Sequence, residues 1–174
     1  MNVREATTQD IDAITQIYDH IHDEEEAGRM TTGWHRGIYP IRATAETAVS
    51  LGDMFVLEDG GNLLAAGRIN QQQAAEYACI KWLYDSPDDK IWVLHTLVVE
   101  PSAKGKGYAR AFLEFYENYA LERGCHVLRI DTSLAALLRW CFSITREKML
   151  RSSGRVKLST VFRDGNDWKP NSDA

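Results

Sequence analysis

The sequence predicts an α/β fold, a sheet whose strands alternate with helices packed against it, and three observations predict it. First, the apolar run Val93-Leu94-His95-Thr96-Leu97-Val98-Val99 passes through a glycine-containing turn, Pro101 to Arg110. The chain then enters a stretch with Ala111, Phe112, Phe115, Tyr116, Tyr119 and Ala120 at helical spacing, followed by Cys125 to Asp131 as another strand. Strand, turn, helix and strand in that order make a βαβ-like unit. Second, Met54 to Glu58 and Leu63 to Ile69 flank Asp59-Gly60-Gly61-Asn62, a hairpin signal for two antiparallel strands. Third, Ile11, Ile14, Ile17 and Ile21, with Tyr18, recur at the period of an amphipathic helix.

Taken in order, Asn2 to Ala6 is a short strand, and Thr7 or Thr8 caps the helix that follows. Arg29 to Arg42 holds Gly33, Gly37, Pro40, Trp34 and Tyr39 with no regular period and reads as an ordered loop. Thr44 caps a short helix from Ala45 to Leu51, which Gly52 stops. Ser86-Pro87-Asp88-Asp89 turns the chain, and Ile91 to Val99 is apolar enough for a central strand buried on both faces. Arg123-Gly124 ends the later helix with a basic last turn and a glycine stop.

At 174 residues the chain suits one domain with a substantial core, and its 44% apolar and 26% charged content is ordinary for a globular protein. A net charge of −5 argues against a general nucleic-acid binder. No apolar run reaches membrane-spanning length, and Met1 to Glu5 lacks the apolar core of a secretory signal. Cys79, Cys125 and Cys141 are scattered and odd in number, so a reduced, cytoplasmic protein is expected.

The turn Lys104-Gly105-Lys106-Gly107-Tyr108-Ala109-Arg110 carries the clearest chemistry. Glycines leave backbone N–H groups free to converge on an anion, and a helix start adds partial positive charge. The ordinary alternative is a tight strand-to-helix turn with no ligand. His20-Ile21-His22 followed by Asp23-Glu24-Glu25-Glu26 matches no metal-ligand spacing, because residues two apart do not share a helix face; no metal is expected. That acidic run reads either as a solvated helix end or as carboxylates lining a pocket for a cationic amine.

On these residues the chain resembles the GCN5-related N-acetyltransferase (GNAT) superfamily. Its pyrophosphate signature, Gln/Arg-x-x-Gly-x-Gly/Ala, is filled by Lys104 to Ala109 with lysine in first place, and Leu97-Val98-Val99-Glu100-Pro101 looks like the family's fourth strand and the turn after it. The resemblance covers about residues 2–132. It implies a mixed, mostly antiparallel sheet flanked by helices and splayed between central strands to admit acetyl-CoA. Backbone groups of Leu97 to Val99 would pair with the pantetheine arm, and the amides of Lys104 to Ala109, with Arg110, would hold the pyrophosphate. Lys104 keeps the charge of the family's arginine without its bidentate fork. The implied reaction is N-acetyl transfer to a primary amine of a small molecule or peptide, and a homodimer is among the assemblies implied.

Direct transfer needs a base for the amine and stabilisation of an oxyanion, and the departing thiolate benefits from a proton. His95 is the candidate base, since strand alternation places it on one face with Leu97 and Val99 and histidine titrates near neutrality. A histidine bonded within the core is the ordinary alternative. Acceptor choice falls to the loop of residues 28–42, including Trp34, with Glu25 and Glu26 beside it, and to residues 71–90.

The resemblance stops after Thr132. The family's usual Asn, its acid Tyr and its Leu-Gly-Phe/Tyr turn are missing, and no tyrosine occurs beyond Tyr119. Residues 1–132 carry 12 Lys+Arg against 21 Asp+Glu, whereas residues 133–174 carry 8 against 4. This basic segment reads as a diverged helix, Leu134 to about Met149, and strand, Val156 to Phe162. Two other readings stay open, a surface for an acidic partner or another copy of the chain, and a changed reading frame late in the gene. The missing tyrosine also leaves a second functional reading, an acyl-CoA-binding sensor or interaction protein without transfer activity.

Overall fold

In the computed structural model, residues 1–30, 32–73, 84, 86–133 and 157–163 are described, with 131–133 and 157–163 as backbone alone. Strand β1 (Asn2–Glu5) leads to helix α1 (Ile11–Glu26), helix α2 (Arg42–Ser50) and strands β2 (Met54–Asp59) and β3 (Asn62–Asn70). Strand β4 (Ile91–Val99), helix α3 (Tyr108–Glu122), and strands β5 (Val127–Ser133) and β6 (Lys157–Arg163) follow. The six strands form one sheet in sequence order. β1 to β4 pair antiparallel, while β4–β5 and β5–β6 pair parallel. This is the mixed, mostly antiparallel sheet that the sequence resemblance implies.

Local chemistry explains the elements. Gly60 and Gly61 both take positive φ, 58° and 79°, as a two-residue hairpin turn between twisted strands requires. Ile41, rather than Thr44, is the capping residue of α2; Thr44 lies in the first turn, and its hydroxyl accepts the Ile41 N–H at 3.1 Å. On α1 the buried positions are Ile11, Ile14, Ile17, Tyr18, Ile21 and His22, the spacing that the apolar pattern predicts. The strand expected near Val156 to Phe162 is β6, displaced by one residue at each end. The helix expected from Leu134 to Met149 lies outside the described residues.

The sheet separates two apolar clusters. One packs α1 and α2 on Met54, Val56, Ala66 and Val98. The other packs α3 on Phe55, Leu57, Ala65, Ile69, Leu94, Leu128 and Ile130. α3 lies close over β3 because Gly67 has no side chain: a Cβ there would sit 2.9 Å from the Phe112 ring and 3.2 Å from Leu94. Phe112 is fully buried and cannot swing away. Gly67→Ala is therefore expected to lose about 1–3 kcal/mol of stability through overpacking, read by urea denaturation; unchanged stability would mean that α3 rides higher over the sheet.

Two features of β4 position everything that follows. Its ladder to β5 begins at Ile91/Val127 and ends at Leu94/Ile130, although β4 continues to Val99 and β5 to Ser133. Past Leu94 the strands part. The Tyr116 hydroxyl marks the base of this opening, lying 2.6 Å from the Trp92 carbonyl of β4 and 3.0 Å from the Arg129 carbonyl of β5. The second feature is a bulge. Register with β3 runs Asn70/Val93, Ile69/Leu94, Arg68/His95 and then Ala66/Val98, so Thr96 and Leu97 together face Gly67. Thr96 has φ 48°, an outlier for a β-branched residue.

The bulge corrects one expectation. His95 does not share a face with Leu97 and Val99. Leu97 and Val99 pack on the α3 cluster, whereas His95 stands across from Arg68 and bonds Asn70 on the α1 and α2 side. The inserted residue reverses the alternation.

Candidate active site

The mouth of the opening is the turn into α3. Glu100 N–H is tied to the Leu64 carbonyl, and its side chain accepts the Ser102 N–H and hydroxyl, so a short helical turn over Pro101–Ala103 sets the approach. Gly105 and Gly107 take φ of 82° and 87°, which L side chains rarely adopt, and Gly107 caps α3. Among the described residues, neither would meet an atom beyond its chain neighbours within 4 Å if it carried a Cβ, so conformation, not crowding, explains these glycines. The first α3 backbone bond runs from Ala111 N–H to Gly107 C=O. The amides of Tyr108, Ala109 and Arg110 thus have no acceptor within the helix and point out of its positive end.

Side chains fix and charge this cradle. The Tyr108 hydroxyl donates to Asp59 at 3.0 Å, anchoring the helix start to the hairpin. Lys104 and Lys106 are exposed beside the glycines, and Arg110 turns along the helix to Glu114 at 2.9 Å. The donor set suits a diphosphate: backbone amides, two flexible cations and a helix N-terminus. From the cradle, the stretch of β4 past Leu94 runs back along the opening to Thr96 and His95. An extended, amide-bearing arm fits such a strand edge. The residues present therefore fit the acetyl-CoA that the sequence resemblance implies.

α1 is latched to this turn. His20 Nδ1 lies 2.8 Å from Glu100. The hydrogen bond to Glu100 raises the His20 pKa, partly offset by burial. Burial pushes the Glu100 carboxyl up, but bonds from His20 and Ser102 more than reverse this and leave it below its ordinary value. The signs set a window. The His20 contribution is full below the unfolded imidazole value of about 6.5 and fades as pH rises through the raised folded value; the Glu100 contribution is lost as pH falls through its depressed value. With His20 41% exposed, the pair is worth at most about 1 kcal/mol. The melting-temperature gap between wild type and His20→Gln is expected to be wider at weakly acidic than at alkaline pH, and the same gap at both would count against the latch.

At the apex, a polar chain fixes His95. Asp53 Oδ2 accepts from Asn70 Nδ2 at 2.8 Å and from Arg68 Nη2 at 3.2 Å. The amide of Asn70 is thereby oriented, and its Oδ1 accepts the Gln72 N–H at 3.0 Å and His95 Nε2 at 3.1 Å. With an amide oxygen as its partner, His95 Nε2 is the donor of this bond. On the same face, buried Arg129 of β5 donates to Gln73 at 2.5 Å.

The loop between α1 and α2 closes over this face. Glu25 accepts the Thr32 N–H at 2.6 Å and the Gly33 N–H at 3.1 Å, and Arg36 binds Glu26 at 2.8 Å and Asp23 at 2.5 Å. His22 donates from Nε2 to the Pro40 carbonyl at 3.0 Å. Trp34 packs edge-to-face on Tyr39, centroids 5.9 Å apart, and the Tyr39 hydroxyl reaches Thr96 Oγ1. Of the residues singled out from sequence, His95, Leu97 to Val99 and Lys104 to Arg110 follow one another along the opening. Trp34 stands on the loop above it, and Glu25 and Glu26 hold that loop from α1. Sequence reasoning missed Asp53, Asn70, Thr96 and Tyr39. Among the described residues no group of three or more His, Cys, Asp or Glu could hold a metal ion, and no helix is long and apolar enough to cross a membrane.

Comparison with known proteins agrees with this geometry. The family model described as the acetyltransferase (GNAT) family matches residues 14–140, and the chain belongs to that family. A GNAT-family acetyltransferase from Listeria monocytogenes 4b F2365 is similar in fold, with a TM-score of 0.62 at 20% identity over 81% of this chain and 83% of that one. An N-acetyltransferase from Staphylococcus aureus Mu50 has a TM-score of 0.56 at 21% identity, covering 79% and 78%. A ribosomal-protein-alanine N-acetyltransferase from Brucella melitensis has a TM-score of 0.52 at 20% identity, covering 74% and 72%. No curated protein matches the chain.

Proposed function

We propose that this protein is an acetyl-CoA-dependent N-acetyltransferase acting on a primary amine of a small molecule or peptide. The observation that carries the reading is the anion cradle of Gly105 to Arg110 at the mouth of the opening between β4 and β5, continuous with the bulged strand that ends at His95. Acetyl-CoA supplies an activated acyl group on a thiol leaving group. Amides at the α3 N-terminus, with Lys104 and Lys106, hold its pyrophosphate. Backbone groups of Leu97 to Val99 align its arm along β4. His95, held by Asn70 at 3.1 Å, takes the proton of the incoming amine. The carboxylates of Glu25 and Glu26 serve the acceptor indirectly, by setting the loop that presents Trp34 and Tyr39.

The domain is read as one N-acetyltransferase-like unit spanning residues 1–174, with the basic segment 133–174 contributing β6 to the sheet. A cytoplasmic location suits its buried, reduced Cys125. The test is a screen of primary alkylamines, arylalkylamines, amino acids, polyamines and short peptides for amine-dependent release of free CoA. Release with at least one class is the expected result. Acetyl-CoA binding without release in any class would instead favour a non-catalytic acyl-CoA sensor, the reading that the absence of tyrosine beyond Tyr119 supports.

A further inference from the structure

A thiolate leaving the reaction benefits from a proton donor, and the chain has no tyrosine after Tyr119 to provide one. The α1–α2 loop brings one from the other side. Tyr39 is half-buried, and its hydroxyl is hydrogen-bonded to Thr96 Oγ1. Thr96 is the bulged residue two positions beyond the last β4–β5 pair, at the apex of the opening and next to His95. A second phenol stands behind the first. Tyr18 is fully buried on α1, its hydroxyl has no hydrogen-bond partner among the described residues, and it lies close enough to Tyr39 and Arg68 for both to act on its ionisation. An orphaned buried hydroxyl costs free energy that a hydrophobic residue would spare, which marks this corner beside Tyr39 as polar rather than purely apolar.

We propose that Tyr39 is the proton donor to the departing thiol, with Thr96 as its relay. This deepens the N-acetyltransferase reading and rests on it. As the C–S bond breaks, its electron pair passes to sulfur and the Oη proton of Tyr39 goes with it, leaving a phenolate. In one concerted transfer, Thr96 Oγ hands its proton to that phenolate as it takes up the second proton lost by the reacting nitrogen, the first having gone to His95. The net change is one thioester and one ammonium converted to an amide, a thiol and one proton. Thr96 suits the relay because a hydroxyl donates and accepts at once. Its left-handed backbone is the kind of strain that concentrates at functional sites.

Tyr39→Phe removes the hydroxyl and keeps the ring against Trp34. With the best acceptor from the amine screen, kcat is expected to fall about 10- to 100-fold with KM changed less than about threefold, and the alkaline limb of the pH–kcat profile to disappear. A readout independent of turnover uses uniform fluorotyrosine labelling. The fluorine resonance assigned to residue 39 by its loss in Tyr39→Phe is expected to shift when CoA is added to the whole protein. A Tyr39→Phe enzyme with wild-type kcat and pH profile, or a residue-39 resonance unmoved by saturating CoA, would overturn the inference and leave the acetyltransferase reading intact. A wild type that binds no CoA and releases none with any amine would instead remove the reading beneath it.

Discussion

Gly107→Asp is expected to weaken acetyl-CoA binding by about 100-fold or more while leaving the fold in place, because like charges brought together in a binding site cost several kcal/mol. The fold survives for two reasons. Among the described residues, no atom beyond its chain neighbours lies within 4 Å of the position where a Cβ would stand, so the side chain has room. Aspartate also tolerates the left-handed backbone better than most residues and is a favoured helix cap. That second property damages binding. At the cap of α3 the new carboxylate competes for the Ala109 and Arg110 amides that would hold a pyrophosphate, so the protein brings its own anion to the site. Gly107→Ala, strained but neutral, is expected to lose about tenfold or less, in keeping with a strain of order 1 kcal/mol. Calorimetric titration of acetyl-CoA against wild type and both variants, with melting curves as a folding control, checks the order. Equal affinity for wild type and Gly107→Asp would remove the cradle from the account.

His95→Ala is expected to lower kcat by about 10²–10³-fold and to flatten the acid limb of the pH profile, the loss typical of a general base. The geometry makes this more specific than a missing histidine. Asp53 orients Asn70, and Asn70 fixes the His95 tautomer. Asn70→Leu should therefore reduce kcat about tenfold with His95 still present, since the ring loses the acceptor that directs its Nε2 proton. A histidine that only satisfies a core network gives a different pattern. Both variants would then lose stability, and kcat per folded molecule would stay within about twofold of wild type, with an unaltered pH profile.

The parts of this molecule set by short-range chemistry were legible in its residues. Gly60-Gly61 dictates a tight hairpin, Ile11 to Ile21 dictates one buried helix face, and Gly105 and Gly107 dictate a turn that only glycine adopts freely. Parts set by partners distant in sequence were not. Thr96 and Leu97 look like ordinary strand residues, and nothing in a β-branched threonine announces a positive φ, so the bulge and the reversed face of His95 come only with the pairing to β3. Tyr39 lies 57 positions from the threonine it binds, in a loop without periodicity. The acidic run of α1 was legible as charge but not as purpose; its carboxylates and His22 anchor that loop. Gly67, inside a strand pattern, was the one available hint of close packing at the bulge.

In the proposed function, acetyl-CoA would lie along β4 past Leu94, with its pyrophosphate at the start of α3. Amide hydrogen exchange on the whole chain, with and without saturating acetyl-CoA, tests it directly. Slowed exchange is expected across Leu97 to Val99 and Gly105 to Arg110, with the hairpin of β2 and β3 little changed. Unaltered exchange in both segments, or protection confined to another part of the sheet, would contradict it.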